Sequence, residues 1–435
     1  MPKISTACLY AFIFSQTVCG YNLVQTYSGS SFFDSWTFAD GWDHWTNGDI
    51  IYLPQAQAGN LTRLTENGNV QIRMDDFTGL GDNMKRNSIR IEGKQIFNST
   101  NAVVVFDVVH VPTGCSVSNT GKGGSLWSKS AIFVNDWPKG GEVDIMEAVN
   151  KMTTNQMALH TDISCTMSTS NPNQSGNAGN ADCQVTFGPD GKAINPQGCT
   201  VLDTQPQSYS TLAESGGGVW VAEYGAQALN IWFFPRANVP DALKGTPETL
   251  DTAALGKPVA NYPSSSTCDI SKALYPQHLV IDVTACGDCK FGGSMNRGFS
   301  FFLGAKGVLE STGCTPSLPN DCYNSYVHLP DNYHDAYCEW IHHSFCVSNN
   351  VGPVEIAAIK IFGDDTTLLQ NSTELANIFG APSATNTGSH TTPPRATSVS
   401  RGGSTSTSTP SSASKIISAS VGSLLFMAAL MSLSF

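Results

Sequence analysis

Residues 137–147, Trp-Pro-Lys-Gly-Gly-Glu-Val-Asp-Ile-Met-Glu, read as a β-strand. Side chains alternate faces along a strand with a period of two. Glu142 and Asp144 then share one face, while Val143 and Ile145 turn to the core. Glu147 lies five residues from Glu142, an odd step that would send it to the opposite face. One β-bulge near Ile145–Met146 returns it to the other two carboxylates, and bulges are common beside active sites.

Three carboxylates on one face disfavour each other's ionisation, so at least one pKa is expected to rise. Retaining glycoside cleavage needs such a set, with an ionised nucleophile and a protonated acid about 5–5.5 Å apart. Four pleat steps span roughly 13 Å of backbone, and two Glu side chains leaning inward close that gap across a bound sugar. On this reading Glu142 attacks the anomeric carbon. Glu147 protonates the leaving oxygen and then deprotonates water. Asp144, between them, shares a proton with Glu142. An exposed acidic strand, or an oxygen-lined Ca²⁺ site, would carry the same residues, and the pattern alone leaves these open.

Working outward, aromatic residues flank the motif. Trp127 and Trp137 precede it, and Tyr224 and Trp232 follow. Their flat faces suit glucose rings, so they are candidates for substrate binding, although a buried Trp is more often a core residue. His160, in Gln-Met-Ala-Leu-His-Thr, falls on the expected neighbouring strand and can face sugar or Glu147. Short apolar runs recur between turn signals at 101–111 (NAVVVFDVVHV), 228–234 (ALNIWFF) and 278–283 (HLVIDV). With long helical patterns scarce, the fold class is all-β. A net charge of −12 argues against nucleic acid as a partner, which would want a basic face.

The ends have a different character. Residues 1–20 run from an early Lys through an apolar stretch to small residues, the order of a secretory signal peptide. Residues 21–380 form the globular domain. Residues 381–415 are rich in Ser, Thr, Pro and Gly, a solvated stalk. Residues 416–435 are apolar with no charge, matching a lipid-anchor attachment signal of the glycosylphosphatidylinositol kind, with an ordinary tail anchor as the alternative. The expectation is a secreted protein held at the cell surface or wall, touching membrane only through that anchor, and monomeric. Asn60, Asn98, Asn173 and Asn371 head Asn-x-Ser/Thr triplets, which suit export. Thirteen cysteines occur, and eleven lie beyond the leader, an odd number that implies disulfides and a leftover thiol. Cys286 and Cys289 form a CxxC without a second pair, weak grounds for zinc.

The stretch Gly-Gly-Glu-Val-Asp-Ile-Met-Glu-Ala-Val-Asn at 140–150 resembles the active-site strand of glycoside hydrolase family 16 in its bulged, laminarinase-like form. The likeness runs on through Phe32–Trp36, Thr46–Gly48, the Asn-Ser-Ile-Arg-Ile-Glu-Gly run from Asn87, Asp136–Pro138, the run from Asn155, Trp232–Arg236, Ser266–Ile270 and Cys286–Asp288. It is strongest to secreted fungal endo-β-1,3(4)-glucanases. The resemblance implies a concanavalin-like β-jelly roll of two curved antiparallel sheets. It implies retaining endo-hydrolysis of β-1,3- or mixed β-1,3/1,4-glucan, with Glu142 as nucleophile, Asp144 assisting and Glu147 as acid/base. Trp127, Trp137, His160 and Trp232 are then the substrate-binding candidates. No catalytic cofactor is implied, and a structural Ca²⁺ is compatible. A cell-wall transglycosylase and a non-catalytic glucan-binding protein on the same fold are the competing functions.

The sequence departs from the family in places. Trp127 is followed by Ser-Lys-Ser-Ala131 where the family has a Pro-Ala pair and a second Trp. Cys289 and Cys338 each stand where the family has Trp, and unfamiliar stretches follow both. Translated introns and genuine loop insertions explain these stretches equally. Setting aside Cys289, Cys338 and Cys346 leaves eight cysteines, at 115, 165, 183, 199, 268, 286, 314 and 322, which can pair fully. The likeness resumes at Glu355–Phe362, read as the final strand.

Overall fold

The computed structural model describes residues 20–118, 125–133, 135–287, 308–317, 322–329 and 352–369. The principal strands begin with β1 (Tyr21–Tyr27), β2 (Trp36–Phe38), β3 (Arg90–Gly93), β4 (Asn101–His110), β5 (Ser125–Ser130), β6 (Glu142–Glu147) and β7 (Gln156–His160). They continue with β8 (Cys199–Leu202), β9 (Gly218–Gly225), β10 (Ala228–Pro235), β11 (Ala260–Pro263), β12 (Gln277–Asp282) and β13 (Val354–Gly363). One sheet runs β1–β13–β4–β9–β10–β11, and its neighbouring strands pair antiparallel. The other runs β8–β7–β6–β5–β12–β3–β2, also antiparallel. This is the expected all-β jelly-roll sandwich, and the expected final strand at 355–362 lies within β13.

Burial explains the sequence pattern. Ala102, Val104, Phe106 and Val108 of β4 pack with Trp220 and Ala222 of β9 against Leu126, Val143, Leu159 and Ile281 of the second sheet. Val103 and Val105 face the other way, into a second cluster with Val219, Val221, Trp232, Leu243 and Leu255. Both faces of β4 are therefore covered, and its sequence is apolar without alternation. Strand β6 has only one face in the core, so Val143 and Ile145 alternate with acidic residues.

Four disulfides staple the sandwich: Cys115–Cys314, Cys165–Cys268, Cys183–Cys199 and Cys286–Cys322. They use the eight cysteines that the sequence singles out, while Cys289, Cys338 and Cys346 lie outside the described residues. So do the expected leader up to residue 19, the stalk, the apolar tail and Asn371. Among the described residues no helix is long and apolar enough to cross a membrane.

Candidate active site

Two glycines lead the chain into β6. Gly140 and Gly141 have φ of 72° and 79°. A Cβ on Gly141 would stand 2.6 Å from both the Ala273 carbonyl oxygen and Leu274 Cδ2, so positive φ and crowding both require glycine. Strand β6 then runs in register with β5, Glu142 opposite Lys129 and Asp144 opposite Trp127, before the pairing slips to Met146 opposite Leu126. On its other side Asp144 pairs with Ala158 and Glu147 with Gln156, leaving Ile145 and Met146 opposite Met157 alone. The bulge is where the parity of the sequence requires it.

A bulge interrupts the ladder, and buried backbone groups need partners. Asn155 supplies two. Its Oδ1 accepts the Glu147 backbone N–H at 2.8 Å, and its Nδ2 donates to the Ile145 carbonyl at 2.9 Å. The Asn155 backbone N–H is held in turn by Ser208 Oγ at 2.9 Å. One side chain thus clamps both ends of the irregularity that aims Glu147. Gln156 Nε2 donates to Glu147 Oε2 at 3.2 Å.

His160 ends β7 opposite Glu142. Its Nε2–H donates to Asp144 Oδ2 at 2.8 Å, and Glu142 Oε1 is 3.9 Å from the same nitrogen. Burial alone would lower the imidazole pKa. The Asp144 hydrogen bond and the charges of Asp144, Glu142 and Glu147 outweigh burial and raise it to about 9. Trp137 lies against that ring with centroids 5.7 Å apart. Glu142, Asp144 and His160 have ligand atoms within 4.8 Å of one another, close enough to share a metal ion. The His160–Asp144 hydrogen bond already engages two of those atoms.

On the β5 side stands a second charged group. Lys129 Nζ binds Glu92 Oε1 at 2.9 Å, and Glu92 also pairs with Arg90 at 2.7 Å. Burial opposes the Glu92 carboxylate, but Arg90, Lys129 and His278 outweigh it and lower its pKa to about 2. Burial lowers His278 to about 4 against the pull of Glu92. Arg90 is fully buried, 2.9 Å from Asp282, with its guanidinium 4.3 Å from the centre of the Trp45 ring and 4.9 Å from that of Trp127.

The expected residues divide by place. Glu142, Asp144, Glu147, His160 and Trp137 come together. Trp127 shares the face of Asp144, but it is only 3% exposed and its indole N–H is directed to Asp282 Oδ1 at 3.4 Å. Trp232 does not join them. It lies on β10 of the other sheet, within the second apolar cluster, and its indole N–H donates to the Gly256 carbonyl. There it lines a cavity of about 440 Å³ with Glu223, Asn230 and Asn261. Tyr224 is likewise no wall of the site. It is buried between the sheets, and its hydroxyl meets Ser128 Oγ at 2.8 Å. Aromatic residues of core and site carry the same sequence signal, and parity within a strand does not say which sheet holds it. The sequence reading passed over Asn155, Lys129, Glu92 and Arg90. The signal available for Lys129 was its parity with Trp127, two residues earlier on the same strand.

A family model described as "XgeA-like, catalytic GH16 domain" matches residues 36–342. The chain is 33% identical over 327 residues to a probable endo-1,3(4)-beta-glucanase of Aspergillus fumigatus, a match covering 73% of this chain and 44% of that protein. It is 32% identical over 320 residues to a probable glycosidase of Schizosaccharomyces pombe, covering 73% and 67%. Among solved structures it is similar to Laminarinase 16A from Phanerochaete chrysosporium with two beta-glucans (6-O-glucosyl-laminaritriose) in donor and acceptor sites. That likeness has a TM-score of 0.61 at 30% identity and covers 79% of this chain and 99% of that one. The chain thus spans under half the length of the Aspergillus fumigatus protein.

Proposed function

The chain belongs to glycoside hydrolase family 16, and from that premise we propose that it cleaves β-1,3- or mixed β-1,3/1,4-glucan internally with retention at the anomeric carbon. The observation that carries this reading is the bulge in β6. It returns Glu147 to the face of the strand that carries Glu142 and Asp144. Retaining cleavage needs two carboxyl groups in different roles on one face.

In the first step Glu142 attacks the anomeric carbon and Glu147 gives its proton to the departing glycosidic oxygen. A glycosyl–Glu142 ester results. In the second step Glu147 takes a proton from water, whose oxygen displaces Glu142 and restores both carboxyls. His160 fixes the orientation of Asp144, which stands between them along the strand. Trp137, against His160, offers an apolar face to the sugar ring. We assign no cofactor to either step. Four disulfides support export to an oxidising compartment, which suits a reaction on wall or external glucan.

The test is product release from a β-1,3-glucan and from a mixed-linkage glucan, with Glu142→Gln alongside. Oligosaccharides from the parent and none from the variant are expected. Products longer than an added acceptor would favour glucan transfer over hydrolysis. A folded parent that binds both polymers and releases nothing would leave a binding protein on the same fold.

A further inference from the structure

The stretch from Cys183 to Cys199 closes on itself at the edge of the site. Its short strands Thr186–Phe187 and Ala193–Ile194 pair antiparallel, Phe187 opposite Ala193. The Gly188–Lys192 turn between them is held by backbone bonds from Gly188 to Lys192 and from Gly191 to Gly188, both 2.9 Å. The base is fastened several times over. The Cys183–Cys199 disulfide closes it. Asn195 Nδ2 donates to the Asp182 and Gln184 carbonyls at 2.7 and 2.9 Å. Asn180 Nδ2 donates to Asn195 Oδ1 and to the Gly198 carbonyl, both at 2.6 Å. Thr161, the residue after His160, exchanges backbone bonds with Cys183 and Val185 at 2.9 Å. The hairpin is therefore tied to the end of the strand that carries the site imidazole.

From this anchored hairpin Phe187 projects with 53% of its surface exposed. A single exposed apolar residue is ordinary. Phe187, however, continues a row of rings that starts in the site. His160 meets Trp137 at 5.7 Å, and Trp137 meets Phe187 edge-on at 6.4 Å between centroids. A phenyl ring has no polar group to satisfy and can take the C–H face of a sugar. Because its hairpin is held in place, little ordering entropy opposes binding there.

We infer that Phe187 forms an outlying subsite that binds a glucosyl ring of the β-glucan chain beyond Trp137, on the β7–β8 side of the carboxylates. The inference takes only the substrate class from the proposed function.

The experiment is titration of β-1,3-linked glucose oligomers of increasing length into the full-length Glu142→Gln protein, alone and combined with Phe187→Ala. Ile194→Ala, which removes an exposed apolar side chain from the other face of the hairpin, is the control. Affinity in the Glu142→Gln protein should rise with length until the oligomer reaches Phe187. Phe187→Ala should lose that last step, about tenfold in Kd for the longest oligomers, and Ile194→Ala should keep it. Equal weakening at all lengths would make Phe187 a structural support for Trp137 and overturn the subsite, as would unchanged affinity for long oligomers. Failure of every length to bind would do the same. Length-dependent binding without product release by the parent would sink the hydrolase reading and leave the subsite standing.

Discussion

Replacing Asn155 with Leu tests whether one side chain holds the bulge. The two are similar in size, so the change removes polarity more than volume. The Glu147 N–H loses its acceptor and the Ile145 carbonyl its donor, both inside the protein, where Asn155 itself is fully buried. A buried polar group deprived of its partner costs about 1–3 kcal/mol. Two such losses, partly offset by the apolar gain of Leu, give a net destabilisation of about 3 kcal/mol. For a domain of about 360 residues that is a fall in Tm of about 4 °C. Turnover should suffer further. The clamp sets where Glu147 points, and a misplacement of about 1 Å can cost on the order of a hundredfold in rate. Thermal unfolding and turnover on β-1,3-glucan measure the two effects separately. A variant that melts within about 1 °C of the parent and turns over within about twofold would refute the reasoning, because the bulge would then be held by strand pairing alone.

His160 gives a pH prediction. Its folded pKa of about 9 stands above its ordinary value of 6.5, so its contribution to stability is complete below about 6.5 and is lost as pH rises through about 9. Urea midpoints should therefore fall between pH 6.5 and 9 in the parent, and His160→Gln should flatten that fall; an identical slope in both proteins would count against the assignment. Trp232→Ala should lower stability by about 3 kcal/mol, as emptying a buried aromatic site does, while glucan affinity stays at the parent value. A loss of affinity at unchanged stability would return Trp232 to the substrate site.

The bulge was legible because parity is a strong constraint. Glu142, Asp144 and Glu147 can share a face only if one residue is extra, and the bulge lies at Ile145–Met146. The disulfide set was legible for a similar reason, since eight cysteines remained once the unfamiliar stretches were set aside. Asn155 was not. Its partners are backbone groups of a neighbouring strand, and backbone partners leave no trace in side-chain patterning. The place of Trp232 was not legible because the outer face of its sheet is itself covered, by Val239, Leu243 and Leu255 among others. A large aromatic there meets the same apolar surroundings as one in a binding groove. Lys129 and Glu92 form their ion pair across two strands far apart in the chain, a juxtaposition that only the strand order β5–β12–β3 creates.

Strand β6 is flanked on both sides, by β5 and by β7, while the Cys183–Cys199 hairpin sits at the margin beyond β7. On the proposed reading, chemistry and reach are governed by separate parts of the chain, with different tolerance to change. Lengthening, shortening or resurfacing the hairpin between its cysteines leaves every carboxylate where it is, so the size of polymer accepted can drift gradually. The middle strand admits no such drift. A change that flattens the bulge while keeping all six residues turns Glu147 inward among Val143, Leu126 and Leu159, removing the proposed acid in one step. Sequence change in this protein should thus be graded at the margin and all-or-none at the bulge.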